Sequence, residues 1–255
     1  RALLRFLGAY ERKADEHLVF SDPGATRAAL YGPEELLAHP GGYSLILHGS
    51  EIPLFAKKGR AFRKLLRGAF RIHLLSEANR KLLVGRNPEI EPSIRVAPGA
   101  PSSWTRKGIA PNSQKKTDLL TILTVGRIHP RKGQKETLLA LSDLPASLKE
   151  KIRYRIVGPT VRQYYLRQIE KLVPTCGFPV EFSGVLSEKD LSQAYSSADI
   201  FALNSQPKDK SVEGFGLVYL DASAFGLPIV ANRIGGVAEA VPDQRTGLLV
   251  DPGTP

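Results

Sequence analysis

The chain has 255 residues, 42% of them hydrophobic and 24% charged, the balance of a soluble globular protein with room for one large domain or two smaller ones. No run of about 18 apolar residues is present to cross a membrane, and Cys176 is the single cysteine, which excludes an internal disulfide and a cysteine-built metal site and favours a reducing, cytoplasmic setting. The net charge of +11 is spread along the chain, with 16 basic against 10 acidic residues in 1–104 and 20 against 15 in 105–255, and suits an anionic partner: nucleotide diphosphate, acidic lipid or nucleic acid.

Residues 1–16 read as a helix with Leu3, Leu4, Leu7 and Tyr10 on one side. A short strand at 17–21 and an Asp22-Pro23-Gly24 turn follow, then helical pieces at 26–31 and 33–38. Residues 43–47 form a buried-type strand that ends in His48-Gly49-Ser50-Glu51. A basic helix is expected over about 57–70, a strand at 71–75, a helix at 77–84 and a strand at 93–97. Residues 97–117 are rich in Pro, Ser and Lys without periodicity, the signature of an inter-domain linker. Beyond it strands at 119–125, 153–157, 180–183, 200–203, 228–231 and 248–250 alternate with helices at 134–141, 162–172, 188–198, 217–225 and 237–241. Such alternation predicts a parallel, doubly wound sheet, whose ligands bind at the carboxyl ends of the strands. The chain has no methionine and begins at Arg1, which marks it either as an internal piece of a longer protein or as one from which methionine positions are missing. No signal peptide is visible.

Three stretches carry chemistry. In Ser211–Gly226 a polar loop with Glu213, Gly214 and Gly216 runs into an apolar helix containing Asp221. Glycines before a helix let a ligand approach the backbone, and the unpaired amides of the first turn favour phosphate. A neighbouring carboxylate has no use for phosphate but accepts hydrogen bonds from sugar or ribose hydroxyls. Together these point to a nucleotide-sugar pocket, against a plain glycine turn with solvated acids. The second stretch, Gly126-Arg127-Ile128-His129-Pro130-Arg131-Lys132-Gly133, follows a strand directly. Arg127 offers a planar fork and Lys132 a point charge for a diphosphate, unless this is only a solvated basic turn. The third is the basic belt of Lys57, Lys58, Arg60, Arg63, Lys64, Arg67 and Arg71. Arg60, Lys64, Arg67 and Arg71 share one helical stripe, with Phe62, Leu65, Leu66, Ala69 and Phe70 mostly opposite, a surface for anionic lipid or simply a solvated face. His48, at a strand end, reads either as a substrate hydrogen-bonder or as a satisfied structural histidine. No D-x-D, Walker A, HExxH or G-x-S-x-G pattern is present, so metal-held nucleotide chemistry and those hydrolase classes have no motif here.

In order, H-G-S-E at 48–51, V-G-R-I-H-P-R-K-G at 125–133, V-E-F-S-G-V-L at 180–186, S-V-E-G-F-G-L at 211–217 and G-L-P-I-V-A-N-R-I-G-G-V-A-E-A-V followed by T-G-L-L-V resemble the family-four retaining glycosyltransferases of the GT-B fold. The resemblance implies an α/β fold of two Rossmann-like, doubly wound domains facing a cleft: a partial acceptor-side domain at 1–100, a linker at 101–117 and a donor domain at 118–255. It implies transfer of a hexose from a UDP- or GDP-sugar to a carbohydrate or lipid-linked acceptor, with retention, no metal and no cofactor beyond the co-substrate. Arg127 and Lys132 would bind the diphosphate, and Glu213 and His48 would lie near the reacting sugar. Gly126, Gly158, Val185, Leu186 and the backbone of Gly214, Phe215, Gly216 and Leu217 would line the donor. Asp221 matches the family's second acid, expected on the ribose, but is shorter than the usual Glu by one C–C bond of about 1.5 Å. Pro98-Gly99-Ala100-Pro101 replaces the family's Asn-Gly-Val-Asp, and an early strand with its glycine-rich acceptor loop and the closing helices are expected to be missing. The expected location is cytoplasmic, peripheral at the inner membrane face through the belt at 57–71. The rivals are a nucleotide-sugar epimerase or hydrolase on the same fold and a non-catalytic basic module for lipid or nucleic acid. The lack of stacking aromatics among the basic residues argues against nucleic acid.

Overall fold

The computed structural model of the chain describes residues 15–32, 37–38, 40–49, 51–57, 59–107, 118–207 and 213–253. The helix expected at 1–16 (but for its last two residues), most of the piece at 33–38, Ser50, Lys58, residues 108–117 of the expected linker, and Ser211 and Val212 lie outside them. The chain divides into two compact units, Arg1–Gly99 with Lys210–Phe215, and Ala100–Asp209 with Gly216–Pro255.

The first unit holds a parallel sheet of β1 (Leu18–Phe20), β2 (Tyr43–Leu47), β3 (Arg71–Leu74) and β4 (Ile94–Val96) in the order β1-β2-β3-β4. Helices α1 (Pro23–Tyr31), α2 (Glu51–Ala56), α3 (Gly59–Gly68) and α4 (Glu77–Val84) connect the strands. Leu45, Leu47, Ile72 and Leu74 are completely buried in its core. Burying each such side chain stabilises the fold by about 1.5–3 kcal/mol. The Tyr43 hydroxyl donates to the Leu65 carbonyl at 2.7 Å, and burial pushes its pKa up to about 12. Asp22-Pro23-Gly24 is the start of α1 rather than a free turn. The Asp22 carboxylate accepts from the amides of Gly24 and Ala25 at 2.6 and 3.0 Å, and Pro23 occupies the first helical position, where its missing N–H costs nothing. The helix expected at 57–70 is α3, Gly59–Gly68, and a further helix not expected from the sequence, α2, precedes it. On α3, Phe62, Leu65 and Leu66 are buried, but Phe70, expected on that apolar side, lies beyond the helix end and is 63% exposed.

The second unit is a six-stranded parallel sheet of β5 (Leu120–Val125), β6 (Ile152–Val157), β7 (Val180–Gly184), β8 (Ile200–Leu203), β9 (Ile229–Asn232) and β10 (Gly247–Val250), in the order β10-β9-β8-β5-β6-β7. The longer helices are α5 (Gln134–Ser142), α6 (Gln163–Glu170), α7 (Glu188–Ser196) and α8 (Leu217–Ala224), with the one-turn α9 (Val237–Ala240) before β10. The chain lays down β5, β6 and β7 in one direction and returns to β8 on the other side of β5. Between β5 and β8 the strand order reverses, and this is where open parallel sheets bind ligands. Helices on both faces keep β5 buried from Thr121 to Val125. Thr124 answers for its buried hydroxyl by donating to the Ala202 carbonyl and accepting from Tyr154 at 2.8 Å, while burial pushes the Tyr154 phenol well up.

Residues 103–107, inside the stretch expected as linker, form a 3-10 turn packed on the second unit, with the Trp104 ring centroid 5.9 Å from Tyr195 and 6.0 Å from Phe225. Two backbone segments come close at the strand-order reversal. Gly133 has φ +68°, and a Cβ there would fall 1.8 Å from the Asn204 carbonyl oxygen. Gly133→Ala is therefore expected to destabilise the chain by about 2–4 kcal/mol, read as a lower urea midpoint. An unchanged midpoint would mean that the loops after β5 and β8 do not meet as described.

Candidate active site

The second unit brings the sequence-predicted phosphate ligands together on one turn. β5 ends at Val125; the amide of Gly126 next to it donates to the Val157 carbonyl at 2.9 Å, and Arg127 follows with an exposed side chain. Pro130–Lys132 then makes a 3-10 turn, with the Lys132 amide donating to the His129 carbonyl at 2.7 Å and His129 Nδ1 accepting from the Arg131 amide at 3.1 Å. The Lys132 side chain runs back over the strand end, its Cδ 3.8 Å from where a Gly126 Cβ would sit. Both cations therefore leave the same few residues at the carboxyl edge of the sheet, beside the reversal between β5 and β8.

Neutral side chains brace that turn, and the sequence did not single them out. Gln134, completely buried, donates from Nε2 to the Arg127 carbonyl at 3.0 Å. The Gln206 amide donates to the Arg131 carbonyl at 2.8 Å, and its side-chain amide to the Asn204 carbonyl at 3.0 Å. A polar residue at a buried helix start, as at Gln134, is the only local sign; the Gln206 contact joins residues far apart in sequence. The neighbouring strand ends continue the edge: the Gly158 amide donates to the Gly184 carbonyl at 2.7 Å, and Val185 beyond it is 74% exposed while Leu186 is half-buried. On the other side of β5, α8 begins after Gly216 (φ +85°) with Leu217 40% exposed.

Glu213, Gly214 and Phe215 belong to the first unit, although the sequence runs them straight into α8. All three are buried. A Cβ on Gly214 would lie 1.9 Å from the His48 carbonyl oxygen, so only glycine lets the two backbones approach. The Ser76 hydroxyl donates to the Gly214 carbonyl at 2.7 Å and accepts from the Asn79 amide at 3.1 Å, capping α4 with the same atom. His48 Nε2 lies 2.8 Å from the Ser21 carbonyl, an acceptor only, so Nε2 carries a proton and donates to it. The His48 amide donates to the Glu51 carboxylate. His48 and Glu213 are thus drawn together through Gly214.

Asp221 is held within the second unit. It is 5% exposed on α8, and its two oxygens accept from the Ser102 amide at 2.7 Å and the Ser102 hydroxyl at 3.2 Å. Burial raises its pKa above the ordinary carboxylate range, and the two bonds from Ser102 oppose that rise.

Two all-parallel α/β units, with basic and glycine-rich turns at the strand ends of the second, are the architecture of a GT-B glycosyltransferase. The chain belongs to the glycosyl transferases group 1 family, whose model matches residues 106–255. It is 34% identical over 139 residues to the GDP-mannose-dependent alpha-(1-6)-phosphatidylinositol monomannoside mannosyltransferase of Mycobacterium tuberculosis strain CDC 1551, a match covering 51% of this chain and 34% of that protein. It is 36% identical over 135 residues to the sulfoquinovosyl transferase SQD2 of Arabidopsis thaliana, covering 52% of this chain and 24% of that one. The matches thus span about a third or less of these curated relatives. Among solved structures, Anabaena Alr3699/HepE in complex with UDP and glucose shares the fold, with a TM-score of 0.78 at 19% identity over 99% of this chain and 67% of that one.

Ser76→Ala removes a helix cap and the tie to Gly214 together. It is expected to cost about 1–2 kcal/mol in urea denaturation and to speed amide exchange at residues 213–215. Unchanged exchange there would show that the Ser76 hydroxyl does not hold the loop.

Proposed function

We propose that the chain carries the donor-handling machinery of a retaining glycosyltransferase that moves a hexose from a nucleotide-diphosphate sugar to a carbohydrate or lipid-linked acceptor without a metal ion or further cofactor. The observation that carries this reading is the placement of Arg127 and Lys132 on one braced turn at the strand-order reversal of the second unit. In the transfer the bond from the anomeric carbon to the diphosphate oxygen breaks, and the acceptor hydroxyl bonds to that carbon on the same face. The hydroxyl proton ends on the departing diphosphate. Negative charge grows on the leaving oxygens, and two fixed cations with the first-turn amides of α8 take it up where reorganisation costs little. His48 and Glu213 are the proposed partners of the sugar hydroxyls. Gly126, Gly158, Val185, Leu186 and the backbone of Gly214–Leu217 are the proposed donor lining.

The mycobacterial relative is named for GDP-mannose and the Anabaena structure holds UDP, which supports a UDP- or GDP-sugar as donor. The former's phosphatidylinositol mannoside acceptor supports a lipid-linked acceptor here. Among the described residues no helix is long and apolar enough to cross a membrane. Arg60, Arg63 and Lys64 on α3 are exposed, as is Arg67, which pairs with Glu89 at 2.8 Å. This face supports peripheral contact with an anionic membrane at its cytoplasmic side.

Arg127→Ala is expected to lower turnover about 10²–10³-fold, measured as nucleoside diphosphate released from UDP- or GDP-sugar in the presence of EDTA and an acceptor. Wild-type turnover in the variant would overturn the assignment of Arg127. Sugar released only as free hexose, with or without acceptor, would identify a hydrolase instead.

A further inference from the structure

We propose that the first unit holds a binding site for one acyl chain of an anionic membrane lipid, in a cavity between α1 and α3. The inference deepens the membrane contact proposed above and rests on it for the source of the lipid.

The cavity has a volume of about 250 Å³. Its floor is buried and almost wholly apolar: Ala29 of α1, Leu65 of α3 and Tyr43 at the start of β2. Leu30, Leu37 and Ala61 carry the wall outward. The Tyr43 hydroxyl already donates its proton to the Leu65 carbonyl at 2.7 Å, so it has no donor left for a ligand to satisfy. Gly68 leaves the wall open beside it, since a Cβ there would fall 2.5 Å from the Tyr43 hydroxyl oxygen. Methylenes gain by leaving water for such a lining, whereas a polar group would lose its hydrogen bonds.

The mouth has the opposite character. Lys64, on the exposed side, is the one charged residue among the described lining residues. Arg60 stands one turn before it on α3, and Arg63 is exposed next to it; among the described residues neither arginine is in an ion pair. A cationic rim over an apolar interior complements a ligand with an anionic head and a hydrocarbon tail. Phe70 adds an apolar contact at the same end of the sheet. Its amide donates to the Tyr43 carbonyl at 2.8 Å, its ring is 63% exposed, and the Arg71 guanidinium lies 4.6 Å over the ring centroid.

Position assigns the role. Tyr43 opens β2 and Leu47 ends it, so the cavity and His48 lie at opposite ends of one strand. A lipid chain held here is an anchor, distinct from the acceptor whose hydroxyl reacts.

The experiment measures binding of lysophosphatidylglycerols of increasing chain length, each below its critical micelle concentration, by isothermal titration calorimetry. Wild type is compared with Ala61→Phe, which fills the mouth from an exposed helix position, and with Ala61→Ser, which leaves it open. One lipid is expected to bind per chain, tightening about fourfold per added methylene until the cavity is full and levelling off beyond. Glycerophosphoglycerol, the head group alone, is expected not to bind, and lysophosphatidylcholine of equal length to bind about fivefold or more weakly. Ala61→Ser is expected to match wild type, and Ala61→Phe to bind roughly tenfold or more weakly, the worth of about two buried methylenes. Wild-type affinity in Ala61→Phe, or affinity independent of chain length, would overturn the proposal. Co-sedimentation with phosphatidylglycerol vesicles separates it from the membrane reading. Wild type that binds vesicles but no single-chain lipid removes the cavity site and leaves the membrane contact standing. Single-chain binding as described without vesicle binding removes the membrane contact, and with it the source of the lipid named here.

Discussion

The second unit depends on two loops meeting backbone to backbone. After β5 the chain must turn within a few residues into α5, and it does so against the loop leaving β8, with Gly133 at φ +68° where any Cβ would strike the Asn204 carbonyl. This contact joins the two strands flanking the reversal of strand order. A parallel sheet that reverses leaves a crevice there, because the loops on either side run to opposite faces. Beside the Gly133 contact, hydrogen bonds from Gln134 and Gln206 fix the carbonyls of Arg127 and Arg131.

The electrostatics follow from that bracing. A cation on a mobile loop would reorganise as charge develops and lose much of its effect; one on a fixed turn is already in place. Among the groups that hold the turn are neutral ones: the Gln134 side-chain amide on the Arg127 carbonyl and the Gln206 main-chain amide on the Arg131 carbonyl.

Much of the fold was legible in the sequence because its signals are local. β2, β8 and α4 fall at the bounds expected from apolar runs and caps, and the other strands of the second unit fall within a residue or two. Asp22-Pro23-Gly24 misled, since the same three residues make a turn or an N-cap with proline in the first helical position, and only the hydrogen bonds to Asp22 separate the two. Phe70 misled because a helical stripe was extended past Gly68, where the helix stops. Arg127, Lys132 and Gly126 could be named from a glycine-basic run after a strand. Gln206 and Asn204 could not, since their contacts with the turn are made by main chain across some 70 residues of sequence, and a backbone contact leaves no residue preference except at the glycine it requires. The Ser102–Asp221 bond is hidden for the same reason: it spans 119 residues and rests mainly on an amide that every residue but proline carries.

The stretch from Glu213 to Asp221 reads as one motif, yet it answers to two cores. Gly214 is small because His48 lies against it, and its carbonyl is held by Ser76; these are demands of the first unit. Gly216, two residues on, adopts φ +85° because α8 must begin immediately, a demand of the second. Its two acids divide in the same way, Glu213 buried with the first unit and Asp221 bonded to the segment that opens the second. A substitution at either glycine would therefore disturb a different core while leaving the motif's other half in place.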